Sequence, residues 1–277
     1  MTETAIDGCI VINLPHRTDR WELFQQQIPL LNTLGLKPER MDALYGRHLP
    51  GFGARPWFTK RISEKRANAW AGKAGATLSH RNALTIAQAR GWKNVLILED
   101  DVQFEGTLRE QWPQLLETLG KLPDNWVALY LFGSNPSQPI RVTQVSPSTS
   151  CYEIGGAIGA VAYVVNGKAF DLLLAGLPHP SKIWHWTARH KTIDRWYSRQ
   201  FCLLGRVFAM SPFGIAHLET PSDATTAGEA YDAPSFDLMN IPATKWFTVL
   251  RMVRCFQNRV ALDLSLMRKW VKRFRGL

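Results

Sequence analysis

The segment at residues 94–106, NVLILEDDVQFEG, decides how the chain is read. Val95-Leu96-Ile97-Leu98 is an unbroken apolar run. A run without alternation is the pattern of a strand buried on both faces, as in the parallel sheet of an α/β domain. It leads straight into Glu99-Asp100-Asp101. Adjacent carboxylates cannot all be buried without a counter-charge. Strand ends in open α/β sheets are also where ligands bind. Two readings follow. One is a site for Mg²⁺ or Mn²⁺, hard cations that take oxygen ligands and bridge to substrate phosphates, here a diphosphate. The other is a solvated acidic loop.

The 277-residue chain is long enough to bury a large core as one domain, or as one domain plus an appendage. At 45% hydrophobic and 20% charged residues it reads as globular. The opening MTETAIDGCIVINL has no basic n-region, so no signal peptide is expected. No apolar run is long enough to span a bilayer. Cys9, Cys151, Cys202 and Cys255 show no metal-type spacing, and Cys9 reads as a buried free thiol, which fits a reducing cytoplasm. The net charge of +10 is uneven: residues 245–277 carry nine basic residues against Asp263 alone. The body is therefore nearly neutral, which argues against nucleic acid as its partner.

Before the acidic segment, residues 8–14 (GCIVINL) read as a first buried strand. It feeds Arg17-Thr18-Asp19-Arg20 and a helix over 21–34, capped by Thr18 or Asp19. Arg17 and Arg20 sit at a strand-to-helix junction, where backbone N–H groups and the helix dipole favour anions. They contact a nucleotide, or else pair on the surface with Asp19 or Glu22. Residues 39–43 form a short strand before a turn at Gly46. The basic segment 50–75 reads as a long irregular loop, of the kind that tends to be functional or mobile. A helix then runs from 76 to Arg90, with His80 near its start as a hydrogen-bonder or a catalyst.

Downstream the pattern gives a helix over 108–119, a strand over 126–132 and a polar loop over 133–149. A strand over 160–165, a helix over 168–175 and a last strand over 201–209 complete it. Gly155 and Gly156 let backbone approach a ligand, or form a bulge. Trp184 and Trp186 suit the C–H face of a sugar, and are equally ordinary core material. These four are the candidate acceptor-binding residues. There is no internal repeat and no Gly-rich phosphate loop.

From Trp246 the pattern changes. Trp246, Val249, Val253, Phe256, Val260, Leu264, Met267, Val271 and Phe274 recur at steps of three and four. They fall within an arc of roughly 80° on a helix, with most basic residues opposite. A basic amphipathic helix suggests a membrane surface; the alternative docks its apolar stripe on the body. Residues 1–244 thus form the main domain and 245–277 a basic helical tail.

Several stretches together resemble glycosyltransferase family 25, the lipooligosaccharide galactosyltransferase-like enzymes. They are IVINLPHRTDR, ERMDALYG, GKAGATLSHRNAL, VLILEDDV, GAVAYVVNGKAFDLLL and the later Ile193-Asp194, in the family's order over roughly residues 8 to 225. The family tends to carry an acid and then a cysteine before its Ser-His pair, where Lys73 and Ala76 stand here. The resemblance implies a GT-A-type α/β fold with a mainly parallel sheet. It implies transfer of a sugar from a nucleotide donor, UDP-galactose or a relative, with inversion. The acceptor would be a glycolipid or oligosaccharide. Glu99 and Asp101 correspond to metal-binding acids, with Asp100 facing the donor. Asn13, Arg17 and Arg20 match the donor-side motif, and Ser79 and His80 the Ser-His pair near the nucleotide. Asp194 matches a late acid near the acceptor.

The chemistry has its own logic. A divalent metal neutralises the departing diphosphate, and inversion needs a base on the opposite face of the sugar. A metal-bound carboxylate is a poor base, so Asp194 is the choice, with Glu219 and Asp223 in reserve. His217 is a candidate third metal ligand. The tail would hold the protein on the anionic inner membrane face, in the cytoplasm. Two rivals stay open. A nucleotidyl- or phosphotransferase would want a phosphate loop or a second acidic cluster. A catalytically degenerate scaffold of glycan assembly would not need the intact acidic triplet.

Overall fold

The computed structural model describes residues 6–60, 62–134 and 140–218, and ten positions between 249 and 271. The expected buried strands form. β1 (Gly8–Asn13), β2 (Pro38–Asp42), β3 (Asn94–Glu99), β5 (Trp126–Ser134) and β8 (Ile158–Asn166) share a sheet with β6 (Ile140–Gln144), β7 (Ser150–Ile154) and β9 (Arg206–Ser211). Its order is β2-β1-β3-β8-β5-β9-β7-β6. β1 runs parallel to β2 and β3, and β5 parallel to β9, while β8 and β7 run antiparallel to their neighbours. The sheet is therefore large and mixed, with its parallel strands sending their carboxyl ends to one edge.

Both faces of β1, β3, β5 and β8 are covered, which is why these strands read as continuous apolar runs, whereas the edge strand β2 is largely exposed. On one face Ile10, Ile97, Tyr130 and Val165 pack with Leu84 of α3 (Glu64–Ala89), Leu173 of α5 (Phe170–Gly176), Trp186 of α6 (Ile183–His190) and Tyr197 of α7 (Ile193–Leu204). On the other, Val11, Leu98, Leu129 and Phe208 pack with Phe24 of α1 (Thr18–Gln25), Leu31 of α2 (Ile28–Thr33) and Leu115 of α4 (Leu108–Lys121). A separate short ribbon pairs β4 (Val102–Phe104) antiparallel with β10 (Ile215–His217).

Several boundaries differ from the sequence reading. α3 begins at Glu64 rather than 76. Ser63 caps it by accepting from the Arg66 N–H, and Ala67, Ala69, Ala71 and Ala74 favour helix through the stretch that looked irregular. α1 has Arg17 as its N-cap with no side-chain bond, so neither Thr18 nor Asp19 caps it. The polar segment 133–149 contains β6, which hydrogen-bonds to β7 at the sheet edge. Phe201 belongs to α7, on the face with Ile193, Trp196 and Tyr197; Gly205 ends the helix and the strand starts at Arg206.

In the tail, Val249, Val253, Phe256, Val260, Leu264, Met267 and Val271 are helical and exposed, from 44% to 69%. These seven do not dock on the body. Trp246 and Phe274 lie outside the described residues. Asp263 meets the body at Arg189, whose Nε donates to it at 2.7 Å. Among the described residues, no helix is long and apolar enough to cross a membrane.

His190 ends α6 buried against Trp186, and its Nδ1 has no hydrogen-bond partner. Burial first, then the charges of Arg189 and Arg199, push its pKa down to about 3, against the pull of Asp263. The folded ring binds its proton less well than the unfolded one, whose value is 6.5. Its contribution is therefore intact above that value and is lost as pH falls towards 3, by about 1.4 kcal/mol per unit. Between about pH 7 and about pH 5, denaturant unfolding of the wild type should lose about 2 kcal/mol more than His190→Gln. Equal losses would show that the ring protonates without opening the fold.

Candidate active site

The carboxyl end of β3 delivers Glu99, Asp100 and Asp101 to a cavity of about 200 Å³ between β1, the chain after β2, and α3. Arg20, Tyr45, Arg47 and Asn68 also line it. Its wall depends on two glycines. A Cβ on Gly46 would lie 1.7 Å from the Ala71 carbonyl oxygen, and one on Gly75 would lie 2.3 Å from that of Leu44. The chain at 44–46 can therefore lie directly on α3. Ser79 fastens the contact by accepting from the Leu44 N–H at 2.8 Å and donating to Gly75 at 2.8 Å.

Two of the acids are buried, Asp100 at 5% and Asp101 at 4% exposure. The counter-charge they require comes from Arg20, itself buried. Its Nη1 lies 2.9 Å from Asp100 Oδ1 and 2.9 Å from Asp101 Oδ2. Asn13 Nδ2 donates to the other Asp100 oxygen at 2.6 Å. The β4–β10 ribbon brings His217 opposite Val102, and Leu218 N–H donates to the Asp101 carbonyl at 2.7 Å. His217 Nε2 then stands 3.3 Å from Asp101 Oδ2. Glu99 meets a second imidazole: His80 Nε2 is 3.0 Å from Glu99 Oε1, and His80 Nδ1 is 2.7 Å from the Tyr163 hydroxyl.

These environments split the carboxylates. Burial raises the pKa of Glu99, helped by Asp101 and Asp100 and opposed by the His80 hydrogen bond. Burial also raises Asp100, and Arg20 only partly offsets it. Asp101 feels the same burial, but the His217 hydrogen bond and the charges of His217 and Arg20 outweigh it and hold it low. His217 is raised: burial works against its proton, and the bond and charge of Asp101 overcome that.

For a divalent ion, the donor chemistry fits. Glu99, Asp101 and His217 supply carboxylate oxygens and an imidazole, and Asp101 Oδ1 is a buried oxygen with no hydrogen-bond partner. Among the described residues, no three acidic, histidine or cysteine side chains yet gather tightly enough to enclose an ion.

The other expected site residues fall elsewhere. Arg17 pairs with Asp19 on the surface at 2.8 Å, which holds the Asp19 carboxyl down at about 2. Trp184 and Trp186 are not open sugar platforms. Both are buried, and their indole N–H groups donate to Pro50 at 2.7 Å and Gly176 at 3.2 Å. Gly156 serves packing: a Cβ there would lie 2.7 Å from Ser198 Cα, and Gly155 is buried beside it. Asp194 is outside the cavity lining and accepts from Arg195 N–H at 2.7 Å, from Gly159 N–H at 3.3 Å and from the Thr192 hydroxyl. Glu219 and Asp223 lie outside the described residues. Sequence reasoning missed Tyr163, Arg47 and Asn68. Only Tyr163 left a signal, a hydroxyl inside the apolar strand AVAYVV.

Fold and site define an α/β protein whose ligand cavity opens at the carboxyl ends of parallel strands, around buried acids. The sequence model of glycosyltransferase family 25, described as LPS biosynthesis protein, matches residues 7–175, and the chain belongs to that family. Asp194 and His217 lie beyond the matched segment. The chain is 27% identical over 192 residues to human "Inactive glycosyltransferase 25 family member 3", covering 64% of this chain and 30% of that protein. It is 25% identical over 185 residues to zebrafish (Danio rerio) procollagen galactosyltransferase 1, covering 63% and 29%. The chain thus spans about three tenths of the length of these relatives. A solved structure of a glycosyltransferase involved in the glycosylation of the major capsid of PBCV-1 aligns with a TM-score of 0.37 at 9% identity, over 71% of this chain and 74% of that one.

Arg20→Met removes the charge that Asp100 and Asp101 share. Breaking a buried pair from one side costs about 3–5 kcal/mol. Denaturant unfolding at neutral pH should register a loss in that range. A loss below about 1 kcal/mol, the scale of an exposed pair, would mean that water already screens these acids.

Proposed function

We propose that this chain is a metal-dependent inverting glycosyltransferase that moves galactose or a related hexose from a UDP-sugar to a saccharide of a surface glycan such as lipooligosaccharide. The observation that carries the reading is the buried Asp100-Asp101-Arg20-His217 cluster with its unpartnered Asp101 oxygen, in a chain of family 25. The name of the zebrafish relative, a galactosyltransferase, supports the sugar, and the family's description supports the glycan.

Mn²⁺ or Mg²⁺, held by Glu99, Asp101 and His217, would supply a Lewis acid for the departing diphosphate. Arg20 keeps Asp101 ionised and oriented. Asn13 fixes Asp100 for the ribose or sugar, and Ser79 and His80 hold the wall near the nucleotide. Asp194 is the proposed base, and must exchange its bond to Gly159 for the acceptor hydroxyl. The exposed tail stripe and the tail's nine basic residues favour an anionic membrane, which would put the protein on the inner face in the cytoplasm.

Asp101→Asn should abolish Mn²⁺-dependent UDP-sugar turnover while leaving the melting curve cooperative. Wild-type turnover in that variant sinks the metal assignment, and a wild type that hydrolyses no UDP-sugar favours the scaffold. Asp194→Asn should cut turnover by about 10²–10⁴-fold with donor binding kept. If donor affinity falls instead, Asp194 belongs to the donor side.

Truncation after Ala243 should release the protein from anionic vesicles yet preserve activity on a small soluble acceptor. High salt should weaken vesicle binding of the intact chain, since each Lys or Arg near the surface contributes about 1 kcal/mol. Cosedimentation and a melting curve read both. Unfolding of the truncated chain, or no vesicle binding at any salt, would point to a tail that serves the fold.

A further inference from the structure

A second cleft, of about 370 Å³, lies between α3 and the junction of α6 and α7. Arg66, Trp70 and Lys73 enter it from α3 at spacings of four and three; Lys191 and Arg195 enter from the junction. Four cations line it and no carboxylate does. Among the described residues, none of these four side chains forms an ion pair. Asp194 acts on Lys73 from nearby, but its oxygens are taken by Thr192, Arg195 N–H and Gly159. The charge of Arg199 adds to the excess. The fold also spends backbone strain here: Lys191 adopts φ +73, alone among the described non-glycine residues.

The lysines register the crowding. Burial first, then the charges of Arg195, Lys191 and Arg66, lower the pKa of Lys73, and Asp194 restores part of it. Lys191 is lowered by burial and by Arg195 and Arg199. Gathered like charges destabilise a fold unless something compensates them. A single carboxylate would leave most of the excess standing. A phosphate ester brings two charges and several acceptor oxygens. Trp70, half-buried in the same cleft, offers an aromatic wall beside them.

We propose that this cleft is a second binding site, which takes a phosphate group carried on a saccharide. The phosphate lies among Lys73, Lys191 and Arg195, and the sugar ring lies against Trp70. On the glycosyl-transfer reading, on which this identification of the ligand rests, that saccharide is a phosphorylated part of the acceptor. The site is separable from the first cavity. Asn68, Gly72 and Ser79 face that cavity, whereas Arg66, Trp70 and Lys73 lie on another side of α3.

The test uses the full chain in low salt and titration calorimetry, with glucose 6-phosphate as the probe and glucose and inorganic phosphate as controls. UDP with Mn²⁺ is titrated separately to read the first cavity. Glucose 6-phosphate should bind, glucose should not, and inorganic phosphate should bind at least tenfold more weakly. Lys73→Gln with Lys191→Gln should weaken glucose 6-phosphate at least tenfold, leave UDP binding unchanged, and melt no lower than the wild type. Arg66→Gln, at an exposed position, should weaken it in the same direction and serves if the double variant fails to fold. No binding of glucose 6-phosphate, or equal binding by both variants, overturns the site. Equal affinity for inorganic phosphate overturns the saccharide assignment, as does capture of anionic vesicles alone through these lysines. Loss of UDP binding in the wild type would strike the donor reading and leave this one standing.

Discussion

Arg20 holds two buried carboxylates with one guanidinium nitrogen, and the fold around the cavity is arranged to keep it there. β1 and β3 run in parallel, so the acids at the end of β3 emerge beside the turn that carries Arg20 into α1. A surface arginine could wander; this one is buried and cannot leave without stranding charge. Two further side chains touch the same acids. Asn13 occupies the spare Asp100 oxygen, and His217 shares Asp101. One buried Asp101 oxygen remains without a hydrogen-bond partner.

The elements that periodicity could reach were legible. β3 and its acidic end, β1, β5 and β8 are apolar runs of strand length in a sheet covered on both faces. Arg20 was legible as a residue of the strand-to-helix junction, but its grip on Asp100 and Asp101 spans about eighty positions in sequence and leaves no local mark. The α3 start was hidden because basic and aromatic residues looked irregular while the alanines and the Ser63 cap favoured helix. Trp184, Trp186 and Gly156 show the opposite failure. Tryptophan and glycine suit ligands and packing equally, and only the indole N–H partners and the approach of Ser198 separate the two.

α3 lines two cavities at once. Its small residues press against the chain at 44–46 and close the first cavity, while Arg66, Trp70 and Lys73 face the cationic cleft. Lys73 shares that cleft with Lys191 and Arg195, which come from a distant part of the chain. A rigid helix that forms walls on two sides fixes the distance between the two cavities.

The β4–β10 ribbon has a consequence for biosynthesis. His217 reaches Asp101 only by pairing with Val102, more than a hundred residues earlier in the chain. During synthesis from the N-terminus, Arg20, Asp100 and Asp101 are present long before their last partner. A nascent domain halted before that strand would carry the acids with one counter-charge missing and part of its edge unpaired. The ribbon thus works as a clasp that closes on Asp101 late in synthesis.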